Sequence, residues 1–233
     1  MHRPRTAAAT TLLALLVTAA PAAAATLPTR PGFHARVTNA WFPLAPGMRW
    51  VYRGVDSGRP ARDVVRVTNR VEIVDGMPCA VVSDRLFIRG RLAERTTDWY
   101  TQDPRGRVHY AGEATAELDR NGHVTNTDGS WRAGVHGARA GVFMPRRPKV
   151  GQRFQQEHAK GIAEDRFSVT SLHASATTPF ATFSGNLLQT RETTPLEPGT
   201  VDRKLYVQGI GQVAEDTLKG GNDRLRLASF RSD

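Results

Sequence analysis

Residues 98–113 read DWYTQDPRGRVHYAGE, from Asp98 to Glu113. Trp99, Tyr100 and Tyr110 gather here with Asp98, Asp103 and Glu113 around one turn. The stretch predicts a β-hairpin. Pro104 presets φ for the first turn residue, and Gly106 supplies the left-handed position that closes a three-residue loop. That loop sets a register in which Asp103 faces Arg107, Thr101 faces His109, Tyr100 faces Tyr110, Trp99 faces Ala111 and Thr97 faces Glu113. Side chains alternate faces along a strand. One face is therefore expected to carry Trp99, Thr101, His109 and Glu113, and the other Tyr100, Gln102, Val108 and Tyr110. Both faces mix aromatic and polar groups, so both are expected to touch something other than bulk water. The Trp99 face, with His109 and Glu113, is the expected place for a site.

The same grammar runs outward from this hairpin. Pro46-Gly47, Asp75-Gly76, Arg89-Gly90, Asn121-Gly122, Pro195 to Gly199, Gly209-Ile-Gly211 and Gly220-Gly-Asn222 are turn signals. Between them lie short alternating runs, such as Val65, Val67, Asn69, Val71 and Ile73 on one expected face. No segment has a long helical period, and Ala114 to Asp119 is the best short helical candidate. About twelve strands with regular turns predict an all-β fold, an antiparallel barrel or a two-sheet sandwich. One long Gly- and Pro-rich loop, Arg132 to Val150, is expected to be a lid or a packed loop.

Composition bounds the class. Arg3 and Arg5, the apolar run Ala7 to Ala20 and the small residues Ala22 to Ala25 read as a secretory signal cut near Ala24 or Ala25. The apolar run falls short of the ~20 residues that span a bilayer, and no transmembrane segment is expected. The expected organisation is a signal peptide over 1–25, an extended, loosely held leader over 26–40 and a single β domain over 41–233. Trp41 and Phe42 are expected to plug the end of the sheet. A secreted, extracytoplasmic location follows. Cys79 is the only cysteine, so no internal disulfide forms and the core must supply stability. The net charge is +10, almost all from arginine, with lysine only at 149, 160, 204 and 219. The basic residues are interleaved with acids, so no specific nucleic-acid binding is expected.

Nucleotide, thiol and zinc chemistry are poorly supported. No Gly-x-Ser-x-Gly, no phosphate-binding Gly-x-x-x-x-Gly-Lys-Ser/Thr and no His-Glu-x-x-His occurs. No cofactor and no metal site are implied. What remains is a set of carboxylates with histidines and aromatics. The candidate ligand-binding residues are Trp99, Tyr100, His109, Tyr110, Glu113, Trp131, Glu157, Glu164 and Asp165. Two carboxylates ~5–10 Å apart would suit glycoside hydrolysis. Aromatics beside them would stack on a sugar or other small ligand. In the run Gly151 to Gly161, alternation places Phe154, Gln156 and His158 on one face and Glu157 on the other.

Trp41-Phe-Pro-Leu-Ala-Pro-Gly-Met-Arg-Trp-Val-Tyr52 resembles the opening block of a family of uncharacterised exported bacterial β-rich proteins. Asp98-Trp-Tyr-Thr-Gln-Asp103, Val108-His-Tyr-Ala-Gly-Glu113, Gly129-Ser-Trp131, Met144-Pro145 and Glu164-Asp165 resemble its further blocks. Thr178-Pro-Phe-Ala-Thr-Phe183 and Leu205-Tyr-Val-Gln-Gly-Ile-Gly211 are similar to two of its turns, with Ala181 and Gln208 departing from the usual residues. The resemblance implies export and a single β-rich domain, and no activity. The leading expectation is a ligand-binding β domain of the cell envelope or medium. One alternative is a carboxylate-dependent hydrolase of extracellular carbohydrate, which needs two of Glu113, Glu157, Glu164 and Asp165 facing one cleft. The other is a structural envelope protein with a filled interior. Binding needs a cavity of ~300 Å³ or more lined by Trp99, Tyr100 or Trp131.

Overall fold

The computed structural model describes residues 29–232. The expected signal peptide lies outside the described residues. The chain forms fifteen strands: β1 (Arg49–Asp56), β2 (Arg59–Val74), β3 (Met77–Ile88), β4 (Arg91–Gln102), β5 (Val108–Leu118), β6 (Val124–Asn126), β7 (Trp131–Arg132), β8 (Arg139–Met144), β9 (Arg153–Gln155), β10 (Glu157–His158), β11 (Arg166–Thr177), β12 (Thr182–Thr193), β13 (Val201–Val207), β14 (Gly211–Lys219) and β15 (Arg224–Arg231). All pairings are antiparallel, and the described residues hold no α-helix. Ala114 to Asp119, the helical candidate, lies mostly within β5.

From β1 to β5 and from β11 to β15, strands adjacent in sequence are adjacent in space, in the order β10-β8-β5-β4-β3-β2-β1-β15-β14-β13-β12-β11-β9, with β6 and β7 pairing with β5 off this path. Short turns force this meander. Asp75-Gly76 and Arg89-Gly90 both take positive φ at each position, as two-residue hairpins require. The first strand pairs with the last, β1 with β15. Residues 153–158 then draw the two free edges together. β9 pairs with β11 at one edge, β10 pairs with β8 at the other, and only Gln156 separates them. The result is a nearly closed barrel, which removes most of the exposed strand edge.

The expected long loop from Arg132 to Val150 is not one. Its middle is β8, which pairs with β5 and carries the seam to β10. Gly141 makes the seam possible, since a Cβ there would meet the Gln156 backbone at 2.4 Å. Gly141, one of the glycines that made this stretch read as structure-poor, serves close backbone approach. The leader is also not loosely held over its described part. Arg30 pairs with Asp75, His34 bridges Gln102, and the Asn39 amide donates to the carbonyls of Gly106 and Pro145. Val37 and Leu44 are buried, and Phe42 packs edge-on against Tyr100.

Inside the barrel, Leu187, Leu188, Tyr206, Val213 and Leu227 are fully or almost fully buried. Each such side chain contributes ~1.5–3 kcal/mol of hydrophobic stabilisation. Alternation holds only between bulges. A register shift between Val67 and Val71 divides β2, so Val67 is buried while Val71 is 58% exposed. The single face expected for Val65 to Ile73 is thus two faces.

Candidate functional site

The hairpin of Asp98 to Glu113 forms with its expected turn. The Asp103 amide donates to the Arg107 carbonyl, Gly106 has φ +76°, and Arg107 Nε reaches Asp103 Oδ2 at 2.7 Å. Tyr100 faces Tyr110 and Thr101 faces His109, as expected. Beyond Tyr110 the register slips. Trp99 faces Gly112, and Asp98 faces Glu113. Ala111 is the extra residue of a β-bulge, and Gly112 takes φ +137° beside the Trp131 carbonyl. One extra residue moves every later side chain to the opposite face. Glu113 therefore points with Tyr100 and Tyr110, contrary to the expectation that it shares the Trp99 face.

A second bulge acts the same way at the seam. The amides of Gln156 and Glu157 both donate to the Asp165 carbonyl. Two consecutive residues then oppose one, and both Gln156 and Glu157 reach the interior. Strict alternation had placed them on opposite faces.

The two bulges complete an interior cavity of about 230 Å³. It is walled by Trp50 and Tyr52 of β1, Val65 of β2, Val82 of β3, Tyr100 and Tyr110 of β4 and β5, and Phe143 of β8. Phe42 and Leu44 close over it from the N-terminal segment. Tyr100 stacks on Tyr110 with ring centroids 4.7 Å apart. Trp50 Nε1 and the Tyr52 hydroxyl donate to the Ile210 and Gln212 carbonyls.

Carboxyl groups line this cavity from almost every side. Asp63, Asp84, Asp98 and Glu113 stand on β2, β3, β4 and β5. Asp98 and Glu113 are direct cross-strand partners. Asp84 is diagonal to both Asp63 and Asp98, because Val65 faces Asp84 and Val82 faces Asp98. The four make a diagonal row across four strands. Glu157, Asp165 and Glu215 face them from β10, the turn before β11, and β14. Lys204 of β13 is the one cation among the lining residues, and its Nζ lies 2.8 Å from Glu192 and 4.0 Å from Glu215.

Burial sets the protonation of this row. It pushes Asp98 up to about 8, with repulsion from Asp84 adding to it. It pushes Glu113 up to about 9, with Asp98 and Glu157 adding, and Glu157 up to about 8, with Asp165 adding. Burial likewise raises Asp165 and Glu215. Burial raises both Asp63 and Asp84; the hydrogen bond between the two carboxyls holds Asp63 lower, at about 6, and raises Asp84 further, as expected of a pair sharing a proton. Burial opposes the Lys204 charge, but Glu192 and Glu215 outweigh it and hold its pKa well above the usual value. No N–H or hydroxyl donor reaches the buried Asp63 Oδ1. The Asp84 carboxyl beside it is a donor only while protonated.

The remaining candidates lie elsewhere. Trp99 and Trp131 line a second cleft of about 370 Å³ with Arg132, His136 and Ile162, and Glu113 borders both spaces. Arg132 stacks over the Trp99 ring at 4.4 Å, and Trp99 Nε1 donates to Glu72. His109 contacts Asp103 and the edge of Phe33. Glu164 caps an exposed turn by accepting from the Gly161 amide. So Tyr100, Tyr110, Glu113, Glu157 and Asp165 meet in the interior, and Trp99, His109, Trp131 and Glu164 do not. Sequence reading left Asp63, Asp84, Lys204 and Glu215 out of the site. Asp63 and Asp84 share an alternating face with apolar residues, Ala61 and Val65 for one and Val82 and Leu86 for the other, the only trace they leave. Among the described residues, no three His, Cys, Asp or Glu side chains assemble as metal ligands. No described helix is long and apolar enough to cross a membrane.

The fold and site define an all-β meander barrel with an acidic, aromatic interior. No protein-family model matches the chain, and no curated protein does. Among solved structures, one described as "a putative lipoprotein from Parabacteroides distasonis ATCC 8503" is similar. The match covers 83% of this chain and 99% of that one, at 12% identity and a TM-score of 0.44. A likeness at that level carries no argument about activity.

Proposed function

We propose that this protein is an exported barrel that binds a small ligand in its interior cavity. Export is supported by the basic, apolar and small-residue segments of residues 1–25 and by the family resemblance of the opening block. Binding is carried by one observation. The barrel interior holds a cavity of about 230 Å³ into which polar and aromatic groups converge from nearly every strand. It falls short of the ~300 Å³ expected above for binding, which restricts it to a small ligand, whereas the Trp99–Trp131 cleft of about 370 Å³ meets that size. Two bulges spend local strand regularity to aim Glu113 and Glu157 into it, the kind of departure that folds concentrate at functional sites. A filled interior would have favoured the structural reading.

Carboxylate-dependent hydrolysis is the second reading, because Glu113, Glu157 and Asp165 do face one cavity. It ranks below binding. A glycoside hydrolase needs a protonated acid beside an ionised carboxylate. Here burial raises all three. A thermal-shift screen of small metabolites and saccharides on the purified protein, with Val65→Phe to fill the cavity, tests the reading. Ligands that raise Tm of the parent and not of Val65→Phe support it. If no compound shifts the parent, binding is wrong. Turnover of a saccharide would promote the hydrolase instead.

A further inference from the structure

We propose that the cavity takes a small organic cation, an amine or a guanidine, seated against Asp63 and the Asp98–Glu113 pair with its carbon skeleton on the Tyr100 and Tyr110 rings. This rests on the ligand-binding reading above and names the ligand class.

Three observations point to a cation. The cavity is rich in carboxyl oxygens, and three ring or hydroxyl donors of its lining are already committed. Trp50 Nε1 and the Tyr52 hydroxyl are spent on backbone carbonyls, and the Tyr110 hydroxyl donates to Asp98. Asp63 Oδ1, in a side chain only 8% exposed, has no donor besides the proton shared with Asp84. An ammonium or guanidinium offers donors and no acceptors, which suits this lining. An anion would face seven carboxyl groups and one committed lysine.

Charge tells the same story. The chain as a whole is at +10, yet the lining has seven carboxyl groups and one cation. Lys204 is committed to Glu192 on the far side. Nothing of positive charge in the lining faces the row Asp63, Asp84, Asp98 and Glu113. Like charges at neighbouring cross-strand positions destabilise a sheet, so the free row stays largely protonated, and a bound cation would let its members ionise.

The walls supply the third argument. Tyr100 and Tyr110 are stacked, and Phe143 meets Tyr100 edge-on at 5.1 Å. Aromatic faces around a carboxylate attract organic cations through the ring quadrupole. A metal ion needs several oxygens converging on one point, and no such group occurs among the described residues. The acids are spread along a diagonal, which fits an extended organic cation better than a point charge.

Four-carbon isosteres make the test. The purified protein is titrated by calorimetry with 1,4-diaminobutane, 1,4-butanediol and succinate, and with agmatine and choline as cations of other shapes. At least one cation is expected to bind, with the diol and succinate silent. Binding ionises protonated acids of the row, so heat should vary with the buffer and affinity should rise at least tenfold from pH 6 to 9. The groups that titrate around the ligand are the row itself, then Glu157, Asp165 and Glu215 opposite it, with Lys204 holding its charge. Asp63→Asn and Asp98→Asn should each weaken binding at least tenfold with unchanged circular dichroism. Equal binding by the diol, an affinity that ignores pH, or both variants binding as the parent does would overturn the cation. If no cation binds but a neutral compound does and Val65→Phe abolishes it, the cation is wrong while ligand binding stands. If nothing of any charge binds, both are wrong.

Discussion

Asp98 faces Glu113 directly across the β4–β5 ladder, with the Tyr110 hydroxyl donating to Asp98 Oδ1 at 2.6 Å. Two buried carboxyl groups in direct opposition cannot both ionise cheaply. Burial pushes them to about 8 and about 9. The native state keeps these protons where the unfolded chain has lost them. Their stabilisation is full below the unfolded carboxylate range near pH 4 and is lost as pH rises through 8 and 9. Urea midpoints of the ligand-free protein should fall between pH 6 and 9, by up to about 1.4 kcal/mol per pH unit for each group. Asp98→Asn should flatten that slope and leave the protein more stable than the parent at pH 9. A slope unchanged by the substitution would refute the assignment.

Gly112 fixes the bulge that delivers Glu113. It has φ +137°, and a Cβ there would meet the Trp131 carbonyl oxygen at 2.4 Å. Gly112→Ala should destabilise by roughly 2–4 kcal/mol, combining backbone strain with a clash against backbone. Gly185 also has positive φ, at +67°, but a Cβ there meets nothing. Gly185→Ala should cost only about 1 kcal/mol. Equal costs in denaturant unfolding would show that the close approach at Gly112 does not matter.

Lys204 holds two acids of the opposite wall. Removing it in Lys204→Met leaves Glu192 and Glu215 without their cation in the barrel. A buried pair broken on one side typically loses ~3–5 kcal/mol. The loss should shrink in mild acid, where Glu215, already raised by burial, takes up a proton. Lys204→Met together with Glu192→Gln should recover part of it. No recovery in the double variant would mean that the lysine stabilises by packing alone.

Cys79 is fully buried on β3, and burial pushes its thiol up to about 12. The thiolate is the reactive form. In native protein at pH 8 Cys79 should resist a disulfide reagent such as Ellman's for hours, then react completely in denaturant. Rapid labelling without denaturant would expose an opening of the sheet at β3.

The sequence by itself determined the class. Glycine and asparagine pairs, alternating runs and the absence of a helical period specify an antiparallel meander, because two-residue turns and period-two burial are local properties. The hairpin at Pro104 to Gly106 and the contact of Tyr100 with Tyr110 are legible for the same reason. The convergence of Glu113, Glu157 and Asp165 was not. It depends on the extra residue at Ala111 and on the paired amides of Gln156 and Glu157. A bulge is one residue of surplus between two strands, and neither strand alone records it. Asp63, Asp84 and Glu215 stayed hidden for a related reason. Alternation says that an acid shares a face with valine or tyrosine, but only closure of the barrel through residues 153–158 decides that this face is the inside. Local chemistry wrote the strands, and tertiary closure turned their scattered acids into one cavity.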